Sequence, residues 1–170
     1  MKPTNEAPMN SRWYTTEFRV RYQETDQMGV VYHANYLNWF EIGRTEMIRQ
    51  LGLTYRSIEE AGAMLPVIDA ELSYKMPAHY DDSITVFTCV TEFSKLRLSY
   101  AYEVRRLSAE EANALQGTIY TTEEELPGEQ LVLGATKHVW VSKEDWKPTR
   151  LDKCAPQLYD VLKQKLTGGA

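Results

Sequence analysis

Between an alternating segment and an apolar, helix-like stretch lie twelve residues, Thr25-Asp26-Gln27-Met28-Gly29-Val30-Val31-Tyr32-His33-Ala34-Asn35-Tyr36. They place one carboxylate, one glycine turn and the opening of a buried helix within reach of each other. A carboxylate, ionised at neutral pH unless strongly buried, can attack a carbonyl or activate a water. The first turn of a helix has backbone N–H groups without internal partners, and the positive end of the helix dipole favours negative charge there. Together these parts can attack and polarise a carbonyl. Asp26 by itself reads as an Asx-turn or capping residue, and His33 by itself as a hydrogen-bonded structural histidine.

The elements that must position these groups follow from periodicity. Glu17 to Tyr22 alternates, with Phe18, Val20 and Tyr22 on one face and Glu17, Arg19 and Arg21 on the other, the period of a half-buried strand. Tyr36, Trp39, Phe40, Gly43, Met47 and Leu51 then recur at helical steps, with Asn35 as N-cap and Gly52 as stop. Ile42 and Ile48 lie off that face, so the helix is apolar around much of its circumference, as expected of a helix wrapped by a sheet. Gly43 costs about 1 kcal/mol of helix propensity against Ala and fits a strand crossing close by.

Beyond it, Thr54 to Gly62 reads as a short helix and the rest mostly as sheet. Pro66 to Met76 puts Ile68, Ala70, Leu72, Tyr74 and Met76 on one face, and Ser83 to Phe93 is β-branched and half-buried. Leu96 to Val104 alternates most clearly, with Leu96, Leu98, Tyr100, Tyr102 and Val104 together, and Val132 to Ser142 forms the last long strand. Ser108 to Gln130 reads as an acidic insertion in a hairpin, with a short strand at Gly117 to Thr122 and a turn at Glu123 to Gly128. Ala155 to Leu166 carries Leu158, Val161, Leu162 and Leu166 at helical spacing.

At 170 residues the chain suits one domain over 1–170, with a flexible N-terminal segment over 1–15 and a flexible tail over 167–170. Its fold class is α+β. A net charge of −5 offers no general attraction for nucleic acid or an anionic membrane. Cys89 and Cys154 lack metal or disulfide spacing and read as structural thiols of a cytoplasmic protein. No apolar run approaches a membrane span, and His79 and His138 have no metal-binding spacing.

A strand, a turn, a buried helix and several long antiparallel strands describe a sheet curled around one helix. Here the chain resembles the hotdog-fold acyl-CoA thioesterases of the 4-hydroxybenzoyl-CoA thioesterase type, especially their branch of small bacterial acyl-CoA hydrolases. The resemblance covers roughly Phe18 to Val141. Its motifs are Tyr22 to Tyr36, then Trp39-Phe40-Glu41 and Arg44-Thr45-Glu46, supported by Tyr74-Lys75-Met76-Pro77-Ala78 with Asp81-Asp82. It implies that Asp26 is the catalytic carboxylate, as nucleophile or as general base, and that the His33 backbone N–H meets the oxyanion. Gly29, Val30, Tyr32 and Tyr36 would line the substrate site. CoA is part of the substrate, and no further cofactor or metal is implied.

Coenzyme A carries several phosphate charges, so an acidic protein needs local cations, and Lys95 and Arg97 are the candidates. The resemblance also implies a homo-oligomer, a dimer or a tetramer of hotdog dimers, with sites built across the dimer. Glu41 is the fallback catalyst. Two other functions bear weighing: a hotdog dehydratase, for which the His-Phe-Pro tripeptide is missing, and a non-catalytic module that binds acyl-CoA or an acyl carrier. Within the enzyme class, a 1,4-dihydroxy-2-naphthoyl-CoA hydrolase is one specific alternative.

Overall fold

The computed structural model describes Met9 and residues 12–168. Strand β1 (Arg12–Arg19) leads to a single 3-10 turn at Tyr22–Glu24 and then to the long helix α1 (Asn35–Gln50). After α2 (Tyr55–Glu60) and the short β2 (Ala63–Met64) come β3 (Val67–Tyr74), β4 (Ser83–Phe93) and β5 (Arg97–Arg106). A helix, α3 (Ala109–Leu115), and the short β6 (Tyr120–Thr121) precede β7 (Glu129–Val139) and β8 (Val141–Ser142). The described chain closes with α4 (Leu151–Cys154) and α5 (Pro156–Thr167).

The main sheet has six strands in the order β3-β7-β5-β4-β1-β6, and its pairings are antiparallel. It bends over α1 to give a hotdog fold. Two glycines permit the close approach. A Cβ on Gly43 would stand 2.5 Å from Thr88 Oγ1 and 2.9 Å from Val86 Cγ1 on β4. At Gly134 on β7 a Cβ would overlap the Phe40 ring, which itself stacks on Tyr102 with centroids 4.3 Å apart. Trp39, Phe40, Met47 and Ile48 of α1 are buried beneath the sheet, as Leu158, Leu162 and Leu166 of α5 are in the same core.

Several expectations need correction. β1 begins at Arg12, so 12–15 belong to the sheet, while 1–8, 10 and 11 fall outside the described residues. Tyr22 is exposed in the 3-10 turn, because the strand has already ended. Thr167 closes α5, and only residues 169 and 170 of the expected tail lie outside the description. Leu37 and Ile42 of α1 are 42% and 40% exposed, so one chain's sheet covers only part of the helix. β3 carries the expected alternation, yet of its supposed buried face Ile68 and Tyr74 are exposed and Leu72 half-buried. The reason is position, since β3 is the edge strand of the sheet.

The 108–130 insertion is folded. Ser108 caps α3 through a capping box with Glu111, and β6 pairs with β1. Leu107, Leu115 and Leu126 pack on Phe87, with Trp13 and Tyr120 beside them. This second cluster explains why β4 is buried continuously from Ile84 to Val90 instead of alternating.

Candidate active site

Asp26 sits in a tight turn that the backbone closes on itself. Its N–H donates to Val30 O (2.9 Å), Gly29 N–H donates back to Asp26 O (3.0 Å), and Thr25 bridges to Val31. Gly29 adopts φ +80°, the left-handed region open to glycine at no steric cost. The Met28 N–H donates to Asp26 Oδ1 (2.8 Å). The capping geometry and a chemically competent carboxylate therefore coexist: one oxygen orients the side chain, and the other has no partner among the described residues.

The turn is fastened to α1 by Glu24. Its Oε2 accepts from the Trp39 indole Nε1 (2.6 Å) and its Oε1 from Arg21 N–H (2.8 Å). Its carbonyl accepts from Tyr32 N–H (2.9 Å) and Asn35 Nδ2 (2.8 Å). Asn35 was expected to cap the helix. Ala34 occupies the cap position without a side-chain bond, because the Asn35 amide is engaged with Glu24.

A cavity of about 250 Å³ opens at this end of α1, lined by Asp26, Val30, His33, Tyr36, Tyr74 and Lys75 among others. The His33 N–H donates to no protein group among the described residues, and its carbonyl accepts from Tyr74 Oη (3.1 Å). Tyr36 is buried, and its hydroxyl accepts from Ala78 N–H (3.2 Å); burial, the larger effect, pushes its phenol up despite that bond. The rings of His33, Tyr36 and Tyr74 meet edge to face, at 6.5 Å and 5.6 Å.

The structure thus brings Asp26, His33, Val30 and Tyr36 to one cavity, while Gly29 shapes the turn without lining it. Tyr32 is half exposed and its ring lies tilted against His33 (4.5 Å between centroids) without lining the cavity. Lys95 and Arg97 stand elsewhere. The cavity touches Pro77, whose carbonyl accepts from Arg106 at the far end of β5 (3.2 Å), and a ten-residue strand spans about 30 Å. Lys95 pairs with Asp152 (3.5 Å). Glu41 is exposed and lines a separate cavity with Arg44.

Sequence reasoning passed over Glu24 and Lys75. A buried indole N–H needs an acceptor, so an acid beside the motif and a core tryptophan were the available signal for Glu24. Lys75 lay inside the supporting motif, and its cavity position depends on the edge strand's path. The other histidines have local partners. His138 is buried, with Nδ1 near Leu65 O (3.2 Å) and Nε2 near Thr136 Oγ1 (2.8 Å), and burial pulls it down to about 4. His79 N–H donates to Asp82 Oδ2 (2.8 Å). Burial pushes the Cys89 thiol up to about 11, which makes it a poor nucleophile.

An antiparallel sheet bent over one long helix, with a carboxylate turn and a free amide at that helix's opening, defines a hotdog-fold domain with a site suited to carbonyl chemistry. Residues 20–149 match the Thioesterase-like superfamily, and the chain belongs to it. It is 36% identical over 148 residues to "Putative acyl-CoA thioesterase YneP" of Bacillus subtilis, covering 87% of this chain and 94% of that one. A crystal structure of DHNA-CoA thioesterase from Staphylococcus aureus superposes with a TM-score of 0.73 at 32% identity, covering 89% of each chain. A 4-hydroxybenzoyl CoA thioesterase mutant in complex with 4-hydroxybenzoyl CoA shares the fold at a TM-score of 0.65 and 19% identity, over 86% of this chain and 98% of that one.

Proposed function

We propose that the protein is an acyl-CoA thioesterase whose catalytic carboxylate is Asp26 and whose oxyanion donor is the His33 N–H. The observation that carries this reading is that both residues line one cavity at the opening of α1, with the His33 amide unpaired among the described residues. Asp26 either takes a proton from an attacking water or attacks the thioester carbonyl itself, giving an anhydride that water then opens. In both routes the tetrahedral oxyanion is met by a donor fixed before the reaction begins, so little reorganisation opposes it. Collapse expels the CoA thiolate, leaving the free acid directly when water attacks and the Asp26 anhydride, which water then opens to the acid, when the carboxylate attacks.

The rings of His33, Tyr36 and Tyr74 favour an aromatic acyl group, and one relative is named for DHNA-CoA. A dihydroxynaphthoyl thioester is therefore the first substrate to test. Lys75 is the cation at the cavity. Lys95 and Arg97 would reach CoA only from a second copy, and the unpaired edge of β3, with Ile68 and Tyr74 exposed, supports pairing of sheets across a homodimer. Two free cysteines accord with a reducing, cytoplasmic setting. The test is thiol release from a panel of naphthoyl, benzoyl, short-chain and long-chain CoA esters. Turnover of an aryl ester is the expected result. Binding without turnover of any ester would make the protein a carrier module instead.

A further inference from the structure

A second cavity, of about 380 Å³, lies along the later half of α1, a size that holds small organic ligands. Its wall includes the apolar Ile58, Met64 and Leu65 with the side chains of Arg44 and Tyr55. Arg44 is half-buried, and no carboxylate among the described residues lies within ion-pair distance of it. It sits beside the phenols of Tyr55 and Tyr102. Neither supplies a countercharge, since burial pushes Tyr55 up and Tyr102 up to about 12. Tyr102 leads on through Thr136 Oγ1 (2.6 Å) to His138 Nε2 (2.8 Å), and that imidazole is neutral as well. Glu41 and Glu59 line the same cavity without reaching ion-pair distance, so this half-buried guanidinium lacks the direct charged partner that an arriving carboxylate would supply.

The mouth carries a second unexplained feature. Trp146 also lines this cavity, 57% exposed, at φ +59°. It closes the four-residue turn between Ser142 and Lys147, where its N–H donates to Ser142 O (2.9 Å) and Ser142 N–H donates to Lys147 O (2.9 Å). That left-handed position belongs to glycine or asparagine. A large aromatic residue is held there against its backbone preference in the wall of a cavity that is part apolar and part charged.

We propose that this cavity is a binding site for an organic monocarboxylate with a flat apolar body, its carboxylate on Arg44 and its body beneath Trp146. Guanidinium and carboxylate match as a bidentate pair. Arg44 is the one cation among the described lining residues, and Glu41 and Glu59 also line the site, so a second negative charge on the ligand would be repelled. The site is independent of Asp26.

The test is calorimetric titration of the native full-length protein with 2-naphthoate, and with the neutral 2-naphthalenemethanol as a probe of charge. Saturable 1:1 binding of naphthoate is expected, at least tenfold tighter than the alcohol. Arg44→Gln should weaken it tenfold or more, and Arg44→Lys, which keeps charge but loses the fork, should fall between. Lys163→Gln, which removes an exposed cation of α5 that lines neither cavity, should leave it within twofold. Trp146→Gly guards against misfolding of the arginine variants: it should weaken binding several-fold without lowering Tm, because the strain is relieved. No saturable binding, equal binding by native protein and Arg44→Gln, loss in Lys163→Gln, or a Trp146→Gly variant that binds normally would overturn the proposal. Thiol release plays no part in the readout, so a protein without thioesterase activity would still pass or fail this test.

Discussion

Glu24 holds the turn on which Asp26 stands. The buried Trp39 indole and Arg21 N–H are both satisfied by the Glu24 carboxylate, which fixes the turn that presents Asp26. Glu24→Ala leaves a buried donor without a partner, a cost of about 1–3 kcal/mol, and frees the turn. Thermal denaturation should show that loss, and kcat/KM should fall about tenfold or more through misplacement of Asp26. Glu24→Gln, which retains an acceptor for the indole, should recover most of the stability. The turn that carries Asp26 to the opening of α1 was legible because its flanking residues carry a specific pattern. Glu24 was not, because nothing in a string of letters records that its partners stand 15 residues ahead and three behind.

At the scale of elements, α1 and its sheet were legible from periodicity, down to the glycine where they cross. Gly43→Ala should cost about 2 kcal/mol, since its Cβ must push Thr88 and Val86 aside in a packed core; urea denaturation measures this directly. What misled was the assumption that alternation reports burial. β3 alternates like a half-buried strand but is an edge, and its apolar face is left largely uncovered by the described residues. The insertion hid a helix whose start was written plainly in Ser108-Ala109-Glu110-Glu111, a capping-box pattern. Its apolar contacts with Phe87 could not be read from an acidic segment alone.

For the molecule as a whole, two expectations follow. If β3 joins a second sheet, sedimentation should show a dimer or larger species, and Ile68→Lys, which sets a charge on that edge, should shift it toward monomer; a native monomer would contradict the pairing. Stability should also depend on His138. Its imidazole is held at about 4 in the folded chain against an ordinary value of about 6.5. Below that ordinary value the unfolded chain takes up a proton that the folded chain refuses. Stability is therefore full above about pH 6.5 and declines as pH falls toward 4, by up to about 3 kcal/mol. His138→Gln should flatten that dependence in urea titrations at pH 4.5 and 7. Lys95 and Arg97 illustrate what one sequence hides at this scale: their charge is evident, but their distance from Asp26 is set by the length of β5.

The most direct test of the central claim compares thiol release by the native protein and Asp26→Asn with the best acyl-CoA of the panel. The amide keeps the size of the side chain and an oxygen for the Met28 N–H, but loses the carboxylate that the proposed mechanism requires. The variant should lose at least two orders of magnitude in kcat, about 3 kcal/mol of barrier, with its Tm little changed. Equal rates in the two proteins would remove Asp26 from the chemistry and move attention to Glu41.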